Sequence, residues 1–251
     1  MPSIAFPQPI AHRGLHDRAA GVIENSRTAF ERAAEAGYAI ECDLQLSRDG
    51  VPMVFHDQRL ERLTGREGLV RETLAVDLGT YPLSGSATGD CPQTFAAFLD
   101  QIGGRVLLQV ELKHQTTPKA TAALARAAME TARHYSGPLV FESFDPRLLT
   151  AVRRAGYDGP LGIITWRYDE PDDDTGAPNV FRDFALRHLL HWPMTRFDFV
   201  SCDKTALNLP AIRLFRALGK PVTAWTIRSQ AEADAALSEA DQLVFEGFAP
   251  R

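Results

Sequence analysis

The stretch from Tyr38 to Asp57, YAIECDLQLSRDGVPMVFHD, carries the clearest structural and chemical signals in this chain. Residues two apart on a β-strand point to the same side, so Glu41 and Asp43 share one face while Cys42 points to the other. Two carboxylates on one face can bind one hard cation, because Mg²⁺ and Ca²⁺ prefer oxygen ligands. The pattern therefore indicates a metal site on a predicted strand that spans residues 38–44.

The second half of this stretch predicts a hairpin. Residues 47–50, Ser-Arg-Asp-Gly, contain an Asp-Gly pair, which is a strong tight-turn signal between strands. We therefore expect residues 51–56 to form a strand that returns antiparallel to the first. That geometry brings His56 back toward Glu41.

Strand-like and helix-like segments alternate along the rest of the chain. The eight strand candidates are residues 9–12, 38–44, 105–112, 139–143, 161–165, 197–202, 221–226 and 242–246. Strands that alternate with helices pair in parallel, and eight of them close into a barrel, so the fold class is predicted as an α/β, TIM (β/α)₈ barrel. The hairpin would extend its second strand, and residues 58–92, rich in Gly, Pro, Ser and Thr, are predicted as a loop-rich, partly mobile insertion over the barrel mouth.

Bulk composition agrees with a single domain over residues 1–251. The chain has 45% hydrophobic residues, enough for a large core, and a net charge of −5, which argues against a nucleic-acid partner. It shows neither a leader pattern nor an apolar run long enough to span a bilayer, so we expect no stable membrane insertion and a cytoplasmic location. Cys42, Cys91 and Cys202 lack zinc-like spacing and are predicted to be reduced thiols.

Further polar clusters lie at the ends of other predicted strands. His12-Arg13-Gly14 follows the first strand, and Glu111-Leu112-Lys113 ends the third parallel strand. In a barrel, the carboxyl ends of all the strands meet at one face, where active sites are built. Carboxylates, imidazoles and cations gathered there suit an enzyme that acts on a phosphate group.

Seven short motifs, in this order, resemble the glycerophosphodiester phosphodiesterases. They are His12-Arg13-Gly14, Glu24-Asn25, Glu41-x-Asp43, His56-Asp57, Glu111-x-Lys113, Ser143-Phe144 and Trp225-Thr226. Each is weak alone, but together they extend from His12 to Thr226, and they are most similar to the small bacterial cytosolic members. The resemblance implies a TIM barrel, a divalent cation (usually Mg²⁺ or Ca²⁺), and release of glycerol 3-phosphate and an alcohol from a small-molecule glycerophosphodiester substrate.

The resemblance also implies roles for individual residues. Glu41, Asp43 and Glu111 would be the metal ligands, all hard oxygen donors. His12 and His56 would be the general acid–base pair, because imidazole titrates unperturbed near neutral pH.

Substrate-binding roles follow in the same way. Arg13 would bind the phosphate oxygens in a fork, and Lys113 would add a point charge. Trp225 would either wall the glycerol pocket or simply fill barrel core. Asn25 would either cap the helix that follows it or hydrogen-bond a catalytic group. After the last strand, Glu246 stands one position away from the acid that the family commonly carries there, so either it replaces that acid or the contact is lost.

One rival function uses much the same site. A barrel phospholipase of D or C type would cleave lipid phosphodiesters and should show an apolar rim or an interfacial helix. Residues 181–192 are the candidate segment, and we interpret them as an ordinary barrel helix. The preferred alcohol, the native metal, the order of the two histidines and the oligomeric state stay open.

Overall fold

The computed structural model describes residues 5–169 and 179–251. Residues 1–4, which the sequence predicts not to begin a leader, and residues 170–178 lie outside this range. The acidic run at 172–174, which the sequence predicts to be a solvated charged segment, belongs to the second gap.

Eight parallel strands close into a barrel, which confirms the predicted TIM fold. The strands, in chain order with one antiparallel addition, are Ile10–Ala11 (β1), Ala39–Leu46 (β2), Pro52–Val54 (β3), Leu108–Leu112 (β4), Leu139–Ser143 (β5), Leu161–Thr165 (β6), Phe199–Asp203 (β7), Val222–Ile227 (β8) and Gln242–Phe245 (β9). β1 pairs with both β2 and β9, which closes the ring. β3 is the predicted hairpin strand and runs antiparallel to β2, with Leu44 opposite Val54.

Ten α-helices are found in the part of the chain that the structure describes. They are Arg27–Glu35 (α1), Glu61–Thr64 (α2), Ala75–Leu78 (α3), Phe95–Ile102 (α4), Pro118–Ala132 (α5), Pro146–Arg154 (α6), Val180–Arg187 (α7), Trp192–Thr195 (α8), Pro210–Ala217 (α9) and Gln230–Ala236 (α10). Their starts follow local chemistry: the Thr117 hydroxyl and the Asp145 carboxylate each accept a backbone N–H of the first turn, and proline follows each of them. None of these helices combines the length and the apolar character that crossing a membrane requires.

Alternate strand residues divide the barrel into an outer and an inner layer. Cys42, Leu44 and Val110 are buried in one cluster with helix residues such as Phe98 and Leu124. Cys42 therefore belongs to the layer between strands and helices, as the alternation predicted. Its neighbours Glu41 and Asp43 belong to the inner layer, where their carboxylates cluster with that of Glu111.

Large apolar side chains fill the amino-terminal end of the barrel. Phe6, Val140, Phe199 and Val244 form a buried cluster there, and the rings of Phe6 and Phe199 meet edge to face at 5.1 Å. Gly162 is required beside Phe199, because a Cβ at Gly162 would lie 2.2 Å from the Phe199 ring. Polar chemistry is thus left to the opposite, carboxyl-terminal end.

The insertion is built around a hydrophobic cluster of its own. It contains α2, α3 and a 3₁₀ turn at Val70–Glu72, with turns and loops between them. Its buried residues include Leu60, Leu63, Val70 and Leu78, which pack with Met53 of β3. The predicted loop-rich character therefore coexists with a packed core, and its mobility stays a prediction.

Candidate active site

Three carboxylates from two neighbouring strands form a buried cluster. Glu41 and Asp43 lie on β2 and Glu111 on β4, with Asp43 directly opposite Glu111 in the register. One oxygen from each lies within 4.8 Å of the others. The structure thus brings together the three residues that were predicted as metal ligands.

The charge balance of this cluster fits a hard divalent cation. Burial raises the pKa of Glu41 well above its usual range, and the charges of Asp43 and Glu111 raise it further. Burial also acts to raise the pKa of Asp43, but His56, Arg13 and Lys113 outweigh it and lower that pKa below its usual range. Three buried oxygen donors that repel one another are a suitable donor set for Mg²⁺ or Ca²⁺.

Two cations border the carboxylates. The Arg13 backbone N–H donates to Glu41 Oε2 at 2.9 Å, and its guanidinium lies 3.3 Å from Asp43 Oδ2. Lys113 Nζ lies 2.9 Å from Glu111 Oε1 and 3.7 Å from Asp43 Oδ1. Both predicted phosphate-binding residues therefore lie beside the cluster.

The loop after β1 explains two further motif positions. Asn25 Nδ2 donates to Asp43 Oδ2 at 2.8 Å, whereas the Ser26 hydroxyl caps α1 by accepting from the Ala29 N–H. Of the two roles considered for Asn25, the structure thus favours the contact with a site residue. Gly14 has φ +82° and passes so close to α1 that a Cβ would lie 2.9 Å from the Ala29 carbonyl carbon.

His12 is oriented by an acid from the other end of the chain. Its Nδ1 lies 2.6 Å from Glu246 Oε2, and its Nε2 faces Glu41 Oε2 at 4.0 Å. Hydrogen bonds from His12 and His16 hold the pKa of Glu246 below its usual range. Burial lowers the pKa of His12 to about 4, with Arg13 acting in the same direction and Glu246 against it. Glu246 therefore makes a contact with a predicted site residue, and its replacement of the family's acid stays a prediction.

His56 has a matching arrangement on the opposite side. Its Nδ1 lies 2.7 Å from Asp57 Oδ1, and its Nε2 lies 3.2 Å from Lys113 Nζ. Arg62 of the insertion binds both Asp57 and Glu24. Each histidine therefore has a carboxylate on Nδ1, which leaves Nε2 for the site.

Both histidines lie on one open cavity of about 520 Å³ at the carboxyl-terminal end of the barrel. Its lining includes Arg13, Lys113 and Trp225, and the Trp225 ring packs edge to face on Phe144 at 5.7 Å. Trp225 therefore lines the cavity and also packs against the buried cluster around Phe199, and its role toward glycerol stays a prediction. A second cavity of about 810 Å³, bordered by the insertion, shares His56 and Lys113 with the first.

Glu142 is a cavity residue that motif matching did not single out. It lies on β5, is 2% exposed, and accepts a hydrogen bond from Gln109 Nε2 at 2.8 Å. Burial raises the pKa of Glu142 to about 7, against the hydrogen bond from Gln109 and the opposing influence of the nearby Ser201 hydroxyl. A charged residue inside the buried strand LVFES was the available sequence signal. The three cysteines are free thiols, and none lines this cavity.

The segment at 181–192, which the sequence predicts to be a barrel helix, contains most of α7 and the turn before α8, and part of it is exposed. Leu186 and Leu189 are buried, whereas Phe181 and Phe184 of α7 are 88% and 56% exposed. The exposed face therefore has an apolar character that an ordinary barrel helix would not require.

A parallel barrel with carboxylates, imidazoles and cations at its carboxyl-terminal face belongs to the TIM-barrel class of enzymes. A family model described as the Glycerophosphoryl diester phosphodiesterase family matches residues 12–243. The chain belongs to this family.

Two similar proteins are named as glycerophosphodiester phosphodiesterases. Glycerophosphodiester phosphodiesterase 1 of Bos taurus is 25% identical over 243 residues, which cover 88% of this chain and 71% of that protein. A glycerophosphodiester phosphodiesterase of Caldanaerobacter subterraneus subsp. tengcongensis is 45% identical over 164 residues, covering 62% of this chain and 65% of that one.

Solved structures share the fold. A phosphodiesterase from Oleispira antarctica, in complex with the product sn-glycerol-3-phosphate, has a TM-score of 0.78 at 21% identity and covers 96% of this chain and 93% of its own. A glycerophosphodiester phosphodiesterase from Thermotoga maritima has a TM-score of 0.70 at 21% identity, covering 98% and 96%. At 21% identity, the structural similarity shows that this chain has the same fold as these proteins.

Proposed function

We propose that this protein hydrolyses glycerophosphodiesters to glycerol 3-phosphate and an alcohol in a metal-dependent reaction. The observation that carries the proposal is the pairing of two carboxylate-oriented histidines, His12 and His56, around one buried cluster of three carboxylates. Family membership supports the substrate class. So does the product, sn-glycerol-3-phosphate, held by a protein of the same fold.

A divalent cation, Mg²⁺ or Ca²⁺, would be held by Glu41, Asp43 and Glu111. When bound, it would supply a Lewis acid that neutralises charge on the phosphoryl oxygens. The cluster is suited to this because its three donors are buried, acidic and within 4.8 Å of one another. Cysteine is absent from that set, which fits a hard cation.

The histidines would move the two protons of the reaction. Hydrolysis removes a proton from the attacking oxygen and gives one to the leaving alkoxide. The carboxylates of Glu246 and Asp57 accept from Nδ1–H, so each imidazole presents Nε2 to the cavity in a fixed orientation. The Nδ1 contacts are the same for both, so they do not by themselves assign the base to one histidine.

Positive charge around the cavity would bind and stabilise the phosphate. Arg13 offers a planar fork of N–H donors, and Lys113 a compact ammonium charge. Both lie beside the carboxylates, where charge develops on the phosphoryl oxygens. Trp225 would form an apolar wall against the glycerol carbons.

The two cavities suggest that the two ester arms of the substrate bind in different places. Both are lined by His56 and Lys113, so a phosphate held between those residues would place one ester arm in each cavity. Residues 58–92 would then lie over the barrel mouth, as part of a single domain, with Arg62 bordering the second arm. The lining of this second cavity is polar and charged, including Asp57, Arg59 and Glu61, which favours small hydrophilic alcohols over lipid tails.

A substrate panel tests the proposal. Purified protein with added Mg²⁺ or Ca²⁺ is incubated with glycerophosphocholine, glycerophosphoethanolamine and glycerophosphoglycerol, and glycerol 3-phosphate is measured with a coupled dehydrogenase. Liposomes of phosphatidylcholine serve as the lipid substrate in the same panel, with co-sedimentation of the protein as a second readout. We expect glycerol 3-phosphate release from the soluble diesters and loss of that release in Glu111→Gln. Turnover confined to liposomes would overturn the proposal in favour of a phospholipase.

A further inference from the structure

Glu142 is a buried acid in the cavity that the proposed chemistry does not use. It is the cross-strand neighbour of Glu111, yet it lies outside the three-carboxylate cluster. One oxygen, Oε1, accepts from Gln109. The other, Oε2, has no hydrogen-bond partner among the described residues and is shielded from bulk water.

A second unpaired group lines the same cavity. The indole Nε1 of Trp225 is buried, and within residues 5–169 and 179–251 it donates to no acceptor. Phe144 packs against the Trp225 ring and limits where the indole can turn. An unused acceptor on Glu142 and an unused donor on Trp225 thus belong to the same cavity lining.

Leaving such groups unpaired costs free energy, because each gave up water on burial. Below them the barrel is closed by the apolar cluster around Phe199, which offers no polar partner. A hydroxyl group both donates and accepts, so a ligand that carries hydroxyls can satisfy an acceptor as well as a donor.

We propose that Glu142, with the Trp225 indole, binds a hydroxyl of the glycerol moiety and makes the site selective for hydroxyl-bearing phosphodiesters. This inference rests on the function proposed above. It assigns to Glu142 recognition of the substrate, and neither metal binding nor proton transfer. A site that hydrogen-bonds a substrate hydroxyl discriminates strongly against an analogue that lacks it.

Binding of the product and of a matched analogue tests the inference without relying on turnover. Calorimetry in saturating Ca²⁺ gives Kd for glycerol 3-phosphate and for n-propyl phosphate, which has the same phosphate and carbon chain but no hydroxyls. We expect the wild-type protein to bind glycerol 3-phosphate roughly 10- to 100-fold more tightly. In Glu142→Gln that preference should largely disappear, with the Kd for n-propyl phosphate and for Ca²⁺ nearly unchanged.

Thr223→Val is the matched control. The Thr223 hydroxyl is also buried without a partner in the described residues and lies on β8 beside Ser201, but it does not line the cavity. This variant should keep the wild-type preference. If Glu142→Gln fails to fold, Trp225→Phe removes the other hydrogen-bonding atom and should reduce the preference by a smaller factor.

Three results would overturn the inference. A wild-type protein that binds both ligands equally, while still releasing glycerol 3-phosphate from diesters, would refute hydroxyl recognition and leave the proposed function standing. A Glu142→Gln protein that loses Ca²⁺ affinity would make Glu142 a metal ligand instead. A wild-type protein that binds neither compound and cleaves no glycerophosphodiester would refute the proposed function itself.

Discussion

The two histidine arms of the site have nearly the same geometry but reach it by different routes along the chain. His12 is bound at 2.6 Å by Glu246, which is 234 residues away, whereas His56 is bound at 2.7 Å by its neighbour Asp57. The first contact requires a closed barrel, because β9 must pair with β1 to bring Glu246 to His12. The second requires only a local turn. One chemical arrangement can therefore depend on closure of the barrel on one side and on local sequence on the other.

The surroundings of the arms differ accordingly. Glu246 is also bound by Arg228 at the end of β8, so the His12 arm is part of the barrel frame. Asp57 is bound by Arg62 of α2, which also binds Glu24, so the His56 arm is connected to the insertion. Substitutions in the barrel frame should therefore affect mainly the His12 arm, and substitutions in the insertion mainly the His56 arm.

Removal of divalent cations should have the largest effect, because both arms face the same carboxylates. We expect dialysis against EDTA to abolish turnover and to lower Tm, since burial and like charge raise the pKa of Glu41 when no cation is present. Adding back Mg²⁺ or Ca²⁺ should restore both. Full activity in excess EDTA would show that the carboxylate cluster serves another purpose.

Replacing either histidine should have the second-largest effect on activity. His12→Ala and His56→Ala should each lower kcat by about 10²- to 10⁴-fold, because proton transfer is lost. Ca²⁺ affinity measured by calorimetry should stay close to wild type, since neither residue is assigned as a ligand. Near wild-type turnover in both variants would limit the histidines to shaping the cavity.

A p-nitrophenyl ester of glycerol 3-phosphate distinguishes acid from base. Its leaving group needs little protonation, so the variant that lacks the general acid should recover much of its rate, and the variant that lacks the base should not. Equal recovery in both variants would contradict a division of roles between the two arms.

Replacing the orienting acids should have an intermediate effect and tests the comparison directly. Glu246→Gln and Asp57→Asn should each lower kcat/KM by roughly 10- to 100-fold, because partners that orient a functional imidazole typically contribute that much. Only Glu246→Gln should also lower Tm clearly, since Glu246 connects β9 to His12 and Arg228.

Arg62→Gln is the control for the insertion side. Arg62 is 44% exposed, so losing its ion pairs should change the free energy of unfolding by less than about 1 kcal/mol, measured by urea denaturation. A larger loss of stability in Asp57→Asn than in Glu246→Gln would reverse the assignment of local and global arms.

Replacing the cysteines should have the smallest effect, because they belong to neither arm. Cys42→Ala, Cys91→Ala and Cys202→Ala should leave kcat within about threefold, since none lines the cavity and a hard cation prefers oxygen. Cys42→Ala should still lower stability modestly, because Cys42 is fully buried between strands and helices. A folded Cys42→Ala protein without Ca²⁺ affinity would overturn the ligand set.

The barrel, the hairpin and the shared face of Glu41 and Asp43 could all be predicted from the amino-acid sequence. Those features depend on short-range periodicity: alternation on a strand, an Asp-Gly turn, and the repeated order of strand and helix. His56 and Asp57 could be recognised as a unit for the same reason, because they are adjacent in the chain.

Contacts between side chains that are distant in the sequence could be identified only in the folded chain. The contact of Glu246 with His12 depends on the register of β9 against β1, and that of Asn25 with Asp43 depends on the loop after β1, whose conformation its neighbours fix. The sequence shows Glu142 as a charged residue in the apolar strand β5. Its unpaired oxygen can be identified only in the folded barrel, where its neighbours are known. Local patterns set the direction of a side chain, whereas its partners are set by packing between elements that are far apart in the chain.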